Sequence, residues 1–508
     1  MIMSEFLNKL KEETTLSKTE KGANTFSTTL DYNLDFFSRA GAMRDRTNDA
    51  KLLFKKAYIE DRELALKNLV HLRNIRLSGL GERAVYNESI KGLAELDLDT
   101  LIKFTEFMSE IGRWDDVVSL YRYSCETKNK VLTMVLVELI SEQLELDKKN
   151  LKSDESISLL AKWLPSESSP NKEKKHTARD LSASLGYTSR EYRKLLSALR
   201  AKLNLVETSL ADKDYDTINF DKLPSRALFK YRGAFRKHLP SSYEMFINRV
   251  NSTDKKLNAS NIMPYELVKK YTASGDWDDS VDNTVEATWK SLPNYVENMT
   301  RNAIVVSDVS GSMYGGAKEV SPMDVSISLG LYCAERLNGV FKDHFITFSS
   351  KPALVHVPSE LSLRERVSTA ISSDWGMSTN LEAVFNLILN TATKSKLPQS
   401  ELPTDIVIIS DMEFDQCSSQ KENDSSFYES MRRKFSKAGY LLPTVTFWNV
   451  NARNDNSPVR FSESGVALVS GITPTVFKHV MSLEKNTPKD FMVSVLRSEA
   501  YSFIDSIL

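Results

Sequence analysis

Cysteine is scarce: the 508-residue chain holds three, Cys125, Cys333 and Cys417. They form no CxxC pair and no framework of bridges, which argues against a disulfide-stapled secreted scaffold and for a reducing, cytoplasmic setting. No uncharged apolar run reaches the roughly eighteen residues a membrane span needs. The N-terminus, MIMSEFLNKLKEETT, mixes charged and apolar residues at helical spacing and lacks the apolar core of a secretory signal. An excess of one charge sign is missing too: 67 Lys and Arg against 68 Asp and Glu leave a net −1, so the whole molecule is not an obvious polyanion binder. The six histidines, His71, His176, His238, His344, His356 and His479, do not cluster along the chain. No GxxxxGK[ST] or GxGxxG stands in the context that a phosphate loop requires. Cys333 lies in an apolar helical pattern, where a thiol is more often core than nucleophile. No enzyme is therefore expected.

What is present divides into parts with different patterning. The length exceeds one ordinary core and implies at least two domains. Contents of 41% apolar and 27% charged residues are ordinary for a soluble globular protein. Residues 1–30 read as an N-terminal extension. Residues 31–295 read as mostly helical, with apolar residues three and four apart in DAKLLFKKAYIEDRELALKNLVHLRNI, LDLDTLIKFTEFMSEIG and NKVLTMVLVELISEQLELDKKN. Short breaks rich in Gly, Asp, Asn or Ser separate these segments. Stacked helix pairs follow, HEAT-like and able to close into a ring, although no fixed repeat period is visible. The stretch SESSPNKEKKH (166–176) reads as a polar, basic, mobile loop, and Thr177 or Asp180 as the cap of the helix after it.

From 296 to 508 the grammar changes. Short β-rich runs, NAIVVSDVS, DHFITFSS, PALVHVP, TDIVIISDM, PTVTFWNV and GVALVSG, alternate with helical patterns. IVVSDVS and IVIISDM are apolar until their last residues, as central parallel strands covered on both faces are. The expected fold class is therefore multidomain α plus α/β, with a doubly wound sheet at the C-terminus. Such sheets bind ligands beyond the carboxyl ends of their strands.

Three polar clusters sit where that rule places them. Asp308-Val309-Ser310-Gly311-Ser312 follows AIVVS, Gly376–Asn380 precedes the helix NLEAVFNLIL, and Asp411 follows IVIIS. Hard divalent cations take oxygen ligands, about six for Mg²⁺ at roughly 2.0–2.1 Å. Asp308, Ser310, Ser312, Thr379 and Asp411 supply such a set, with Gly311 allowing a tight turn. Mg²⁺ is the expected ion, with Mn²⁺ or Ca²⁺ as substitutes. A lone DxSxS would be weak, because Asp and Ser commonly form turns. An Asp after a central strand can also accept a phosphoryl group. Enzymes of that kind usually carry a second acid two residues on, where this chain has Ser310.

DVSGSM matches the DxSGS motif of von Willebrand factor A domains and their metal-ion-dependent adhesion site. Thr379 and Asp411 stand in the positions of that family's threonine and second aspartate. A helical half followed by such a domain resembles the Ro ribonucleoprotein family, in which a TROVE ring of helical repeats is closed by a von Willebrand A domain. The nearest resemblance is to bacterial, phage and plant proteins with a TROVE-like helical half and a von Willebrand A-like end. RNIRLSGLGERAVYNESI, LAKWLPSE, ARDLSASLGYTSREYRKLLSALRAKLNLVE, KLPSRALFKYRGAF, MPYELVKKY, SSDWGMSTNLEAVFNLIL, ISDMEFD and VTFWNV carry it, from about Phe36 to Leu508. In LAKWLPSE, Trp163 is expected in a core and Pro165 at a helix end; GLGERA (Gly79–Ala84) is expected to be a tight turn.

The resemblance implies binding of small structured or misfolded RNA in a ribonucleoprotein. Residues 151–250 add partial support, with 19 Lys and Arg against 12 Asp and Glu. Candidate RNA contacts are Lys172, Lys174, Lys175, Arg179, Arg190, Arg193, Lys194, Arg200, Arg232, Arg236 and Lys237, with Tyr192 and Tyr231 interleaved for stacking. The same pattern suits solvated helix faces with tyrosines in a core. The expected function is thus a non-enzymatic, monomeric, cytoplasmic RNA-binding protein with no membrane contact. The alternative is a metal-dependent adaptor that captures a partner protein's carboxylate. A metal-dependent phosphoesterase comes third, because no base stands near the site.

Overall fold

Six strands form one sheet: β3 Ala303–Ser307, β4 His344–Thr347, β5 Leu354–His356, β6 Asp405–Ser410, β7 Thr444–Asn449 and β8 Val466–Ser470. The computed structural model describes residues 13–153, 155–253, 256–272, 281–297, 301–314, 320–348, 351–373, 379–416 and 427–508. The strand order is β5-β4-β3-β6-β7-β8. All neighbours run parallel except β4 and β5, which pair antiparallel. The six β-rich runs of the sequence are these six strands. Every residue of β3, β6 and β8 is buried, which is why their middles are continuously apolar rather than alternating. From β3 the chain moves outward to β4 and β5, then returns to the other side of β3 as β6. The order thus reverses between β3 and β6. At such a switch point the loops after the two strands diverge and leave a crevice.

The helix Pro322–Arg336 packs on β3, β4 and β6 and is buried from Pro322 through Ala334, with Asp324, Ser326 and Ser328 among the buried residues. The helix Tyr32–Arg39 lies on β8, where Ser470 Oγ donates to Phe37 O at 2.9 Å and accepts from Gly41 N at 3.1 Å. Residues up to Tyr86 join Ile247–Ile504 in one compact unit. Within it a Cβ on Gly79 would lie 2.3 Å from His71 O, so GLGERA is a tight backbone turn.

Asn87–Phe246 with Asp505–Leu508 form the other unit, which is helical. Helices Trp114–Glu126 and Lys130–Leu151 pack together, the second burying Leu132, Leu136, Ile140 and Leu144 at four-residue spacing. The loop expected over 166–176 is corrected: a helix begins at Lys172 and runs to Ser184. Its cap is Asn171, whose side chain accepts from Lys174 N, and not Thr177 or Asp180. The next helix, Ser189–Lys202, opens with a capping box between Thr188 and Glu191. Trp163 is half-buried beneath the Arg113 guanidinium, 5.3 Å from its ring centroid, rather than enclosed in a core.

Candidate functional site

The ends of β3 and β6 are tied to each other. Asp308 N donates to Ile409 O at 2.9 Å, and Ser410 Oγ donates to Asp308 Oδ2 at 2.6 Å. Asp308 Oδ1 accepts from Ser310 N at 2.9 Å, which folds the loop back on itself. Gly311–Tyr314 then form a 3₁₀ turn that leaves Ser310 Oγ and Ser312 Oγ 3.0 Å apart. Met412, next to Asp411, has φ +66°, a left-handed conformation that is costly for a side chain of this kind. Its N–H is held by Ser410 Oγ at 3.1 Å, and Glu413 N donates to Asp411 Oδ1 at 3.2 Å.

Asp308, Ser310, Thr379 and Asp411 are buried and Ser312 is half-buried. Gly376, Met377 and Ser378 of the middle cluster lie outside the described residues. Burial raises the Asp308 carboxyl above its ordinary value, while hydrogen bonds from Ser410 and Ser310 and the charge of Lys21 work against the rise. Burial, then the charge of Asp308, push Asp411 up to about 6, opposed by Arg453. Two carboxylates that repel each other out of water hold protons more readily, and a cation between them would offset the same repulsion. The donors suit a hard one: neighbouring oxygens around an octahedral ion at ~2.05 Å stand about 2.9 Å apart. The Ser310–Ser312 spacing of 3.0 Å matches that edge, besides being a hydrogen bond.

Several residues here were not foreseen. Arg453 Nη2 reaches Asp411 Oδ2 at 3.0 Å, and its Nη1 lies 3.2 Å from Glu20 Oε2. Lys21, from the N-terminal extension, donates from Nζ to Thr379 Oγ1 at 2.5 Å and stands 3.8 Å from Asp415 Oδ1. It rides on a hairpin of β1 Leu16–Lys18 and β2 Asn24–Phe26. Glu413 is buried, its carboxylate accepting from Glu20 N, Asn454 Nδ2 and Asn456 Nδ2. Ser410 could have been suspected as a polar residue closing an apolar strand. Lys21 and Arg453 carry no local signal.

Four of the six histidines, scattered along the chain, meet in two pairs in space. His344 faces His356 across β4 and β5 with ring centroids 4.5 Å apart. His71 lies 6.0 Å from His479, with its Nδ1 2.8 Å from Tyr501 Oη. Cys333 is buried, and burial pushes its thiol well above the ordinary value. Cys417 lies outside the described residues.

In the helical unit, Lys172, Lys175, His176, Arg179 and Asp180 line one open cavity of about 370 Å³. Lys172, Lys174, Arg179, Arg190, Arg193, Lys194, Arg236 and Lys237 are exposed and Lys175 is half-buried. Arg200 is turned inward, its guanidinium donating to Ala161 O at 2.9 Å and Leu164 O at 2.8 Å. Arg232 donates to Phe229 O at 2.6 Å and covers the Phe229 ring. Tyr192 is wholly buried, with its hydroxyl on Pro165 O at 3.1 Å, so it belongs to the core and is no stacking platform. Among the described residues no helix is long and apolar enough to cross a membrane.

Residues 302–500 match a family described as a domain of unknown function (DUF7788), which takes in β3, β6 and the residues that follow them. Residues 168–302 match a second domain of unknown function (DUF2828), which takes in the basic helices. Over nearly its whole length the chain is similar to the uncharacterized protein L728 of Acanthamoeba polyphaga mimivirus. The two are 33% identical over 511 residues, covering 95% of this chain and 87% of that protein. The chain belongs to the family of which that protein is a member.

Proposed function

We propose that this chain is a non-enzymatic binding protein whose C-terminal sheet, a von Willebrand A-type module, holds one divalent cation. The ligands are Asp308, Ser310, Ser312, Thr379 and Asp411, and the ion is Mg²⁺, with Mn²⁺ or Ca²⁺ able to replace it. The observation that carries this reading is the pair of buried carboxylates at the switch point between β3 and β6, with the hydroxyls of Ser310 and Ser312 hydrogen-bonded to each other on the loop after β3. A bound ion would supply the charge that offsets their repulsion and present its remaining positions to water or a ligand. Glu413, two residues from Asp411, has its carboxylate engaged by three donors, which supports binding rather than hydrolysis. Titration with Mn²⁺, followed by electron paramagnetic resonance with Mg²⁺ as competitor, should find one ion per chain in the wild type and none in Asp308→Ala. Absence of bound Mn²⁺ in the wild type would remove the metal reading.

A second observation favours RNA as a partner of the HEAT-like helical part, in keeping with the resemblance to the Ro family. Lys172, Lys175 and Arg179 converge on one open cavity, and Arg190, Arg193 and Lys194 are exposed, with Arg193 Nε donating to Ser189 O at 3.2 Å. Phosphate contact by these side chains would make binding fall steeply with salt. Mobility-shift assays at low salt with a hairpin RNA and a single-stranded RNA test this, and no shift with either would end the RNA reading.

A further inference from the structure

The geometry points to the β1–β2 hairpin as a built-in competitor of the metal centre, with Lys21 serving as a tethered cation that withdraws when the ion binds. This inference rests on the metal reading above. The hairpin's tip is shaped to deliver one charge. Thr19 N donates to Ala23 O at 2.9 Å and Gly22 N to Thr19 O at 2.9 Å, with Gly22 at φ +84°, and Lys21 projects from that turn. Its ammonium is seated on Thr379 Oγ1, one of the five donor oxygens, and its charge reaches Asp308. It therefore supplies, from within the chain, part of the positive charge that would offset the repulsion of the paired carboxylates. A second, divalent charge beside an ammonium in a buried site meets strong repulsion, and an oxygen that accepts from Lys21 has one lone pair fewer for a metal.

The contacts that seat the hairpin's tip suit a reversible arrangement. They are hydrogen bonds, Thr19 Oγ1 to Phe414 O at 2.7 Å, Glu20 N to Glu413 Oε2 at 2.9 Å, and Gln416 N to Lys21 O at 3.3 Å, whereas buried Phe26, paired with Ser457, anchors the base. Glu20 extends the seat to Arg453, the cation that also pairs with Asp411. All of these partners belong to the segment that leaves β6 or to the loop after β7. Rearrangement at Asp411 on metal binding is thus transmitted to the hairpin through residues next to it. By reciprocity, whatever the hairpin takes from metal affinity, the metal takes from hairpin docking.

The test is Mn²⁺ affinity of the full chain in wild type, Lys21→Met and Thr19→Val, with Asp308→Ala as the blank, together with hydrogen exchange of the 16–26 amides with and without Mn²⁺. Thr19→Val keeps the charge of Lys21 and loosens its seat. Both hairpin variants are expected to bind Mn²⁺ roughly tenfold more tightly, within the usual range of coupled equilibria, and Mn²⁺ should speed exchange in residues 16–26 of the wild type. Equal affinity of wild type and both variants overturns the competitor role and leaves the metal reading standing. Tightening in Lys21→Met alone, with unchanged exchange, also overturns it, because the lysine then acts only through its field. No Mn²⁺ binding by any form overturns this inference and the metal reading together.

Discussion

Ser410 Oγ donates to Asp308 Oδ2 at 2.6 Å and accepts from Met412 N at 3.1 Å, so one hydroxyl joins the last residue of β6 to the carboxylate after β3. It also helps to hold Met412 in its left-handed conformation. Replacing it with alanine leaves a buried carboxylate short of a donor, which costs about 1–3 kcal/mol. Ser410→Ala should lower the chemical-denaturation midpoint accordingly. It should also weaken Mn²⁺ binding by roughly 10–100-fold, as loss of a group that orients a metal ligand commonly does. Unchanged metal affinity would mean that Asp308 is oriented by the Ser310 amide alone.

Removing a repelling charge and removing a ligand have opposite effects on stability. Asp308→Asn should leave the metal-free protein as stable as the wild type or more so, because Asp411 loses a like charge beside it. The same variant should lose the stabilisation that divalent ions confer by mass action, about 2.7 kcal/mol at a hundredfold excess over Kd. Thermal melts with and without 10-mM-scale Mg²⁺ (order of magnitude, chosen to saturate) separate the two effects.

Burial, then the charge of His479, hold His71 down at about 3, and burial lowers His479 as well. The unfolded chain therefore takes up protons that the folded chain refuses as pH falls below the ordinary histidine range. Stability from His71 is fully present above about pH 6.5 and is lost toward pH 3, at up to about 1.4 kcal/mol per pH unit. His71→Gln keeps a hydrogen-bonding group for Tyr501 and cannot titrate. Its denaturation free energy should fall less steeply than the wild type's between pH 6.5 and 4, a window set by the ordinary histidine value.

Two kinds of arginine stand in the helical unit. Charge reversal at Lys172, Lys175 and Arg179 should weaken RNA binding while leaving the fold intact, and should flatten the log–log salt dependence by about two, near 0.7 for each lost contact with a single strand. Arg200→Ala should instead destabilise the unit by about 1–3 kcal/mol, because two carbonyls that close the helix Leu160–Trp163 lose their donor. Circular dichroism melts beside the mobility shifts distinguish the two outcomes.

Lys485 is paired with Asp405 at the start of β6, both buried, with Arg301 Nη1 3.0 Å from the same carboxylate. Lys485→Met would leave a buried carboxylate with only its peripheral partners, at a cost of about 3–5 kcal/mol. Because Asp405 lies at the opposite end of β6 from Asp411, metal affinity should be unchanged in the folded variant.

How much was legible depended on the range over which each feature is specified. The six strands and the polar residues that end β3 and β6 were readable, since an apolar run closed by Asp or Ser records burial and chain exit within a few residues. Helix caps were less so: Asn171 stands one residue before a charged run that resembled a loop, and its side chain, not the hydrophobic period, sets the start of that helix.

The sequence by itself determined the alternation of strands and helices after residue 296, the oxygen-rich residues at the strand ends, and the basic character of the helices around 172–202. Only the tertiary structure decided that Lys21 meets Thr379 across 358 residues of chain, that Ser410 steadies Asp308, and that Arg200 and Tyr192 face inward. The physical reason is that periodicity and burial are inscribed locally, residue by residue. Which charge meets which hydroxyl is settled only when strand order and loop packing bring distant segments within hydrogen-bonding reach.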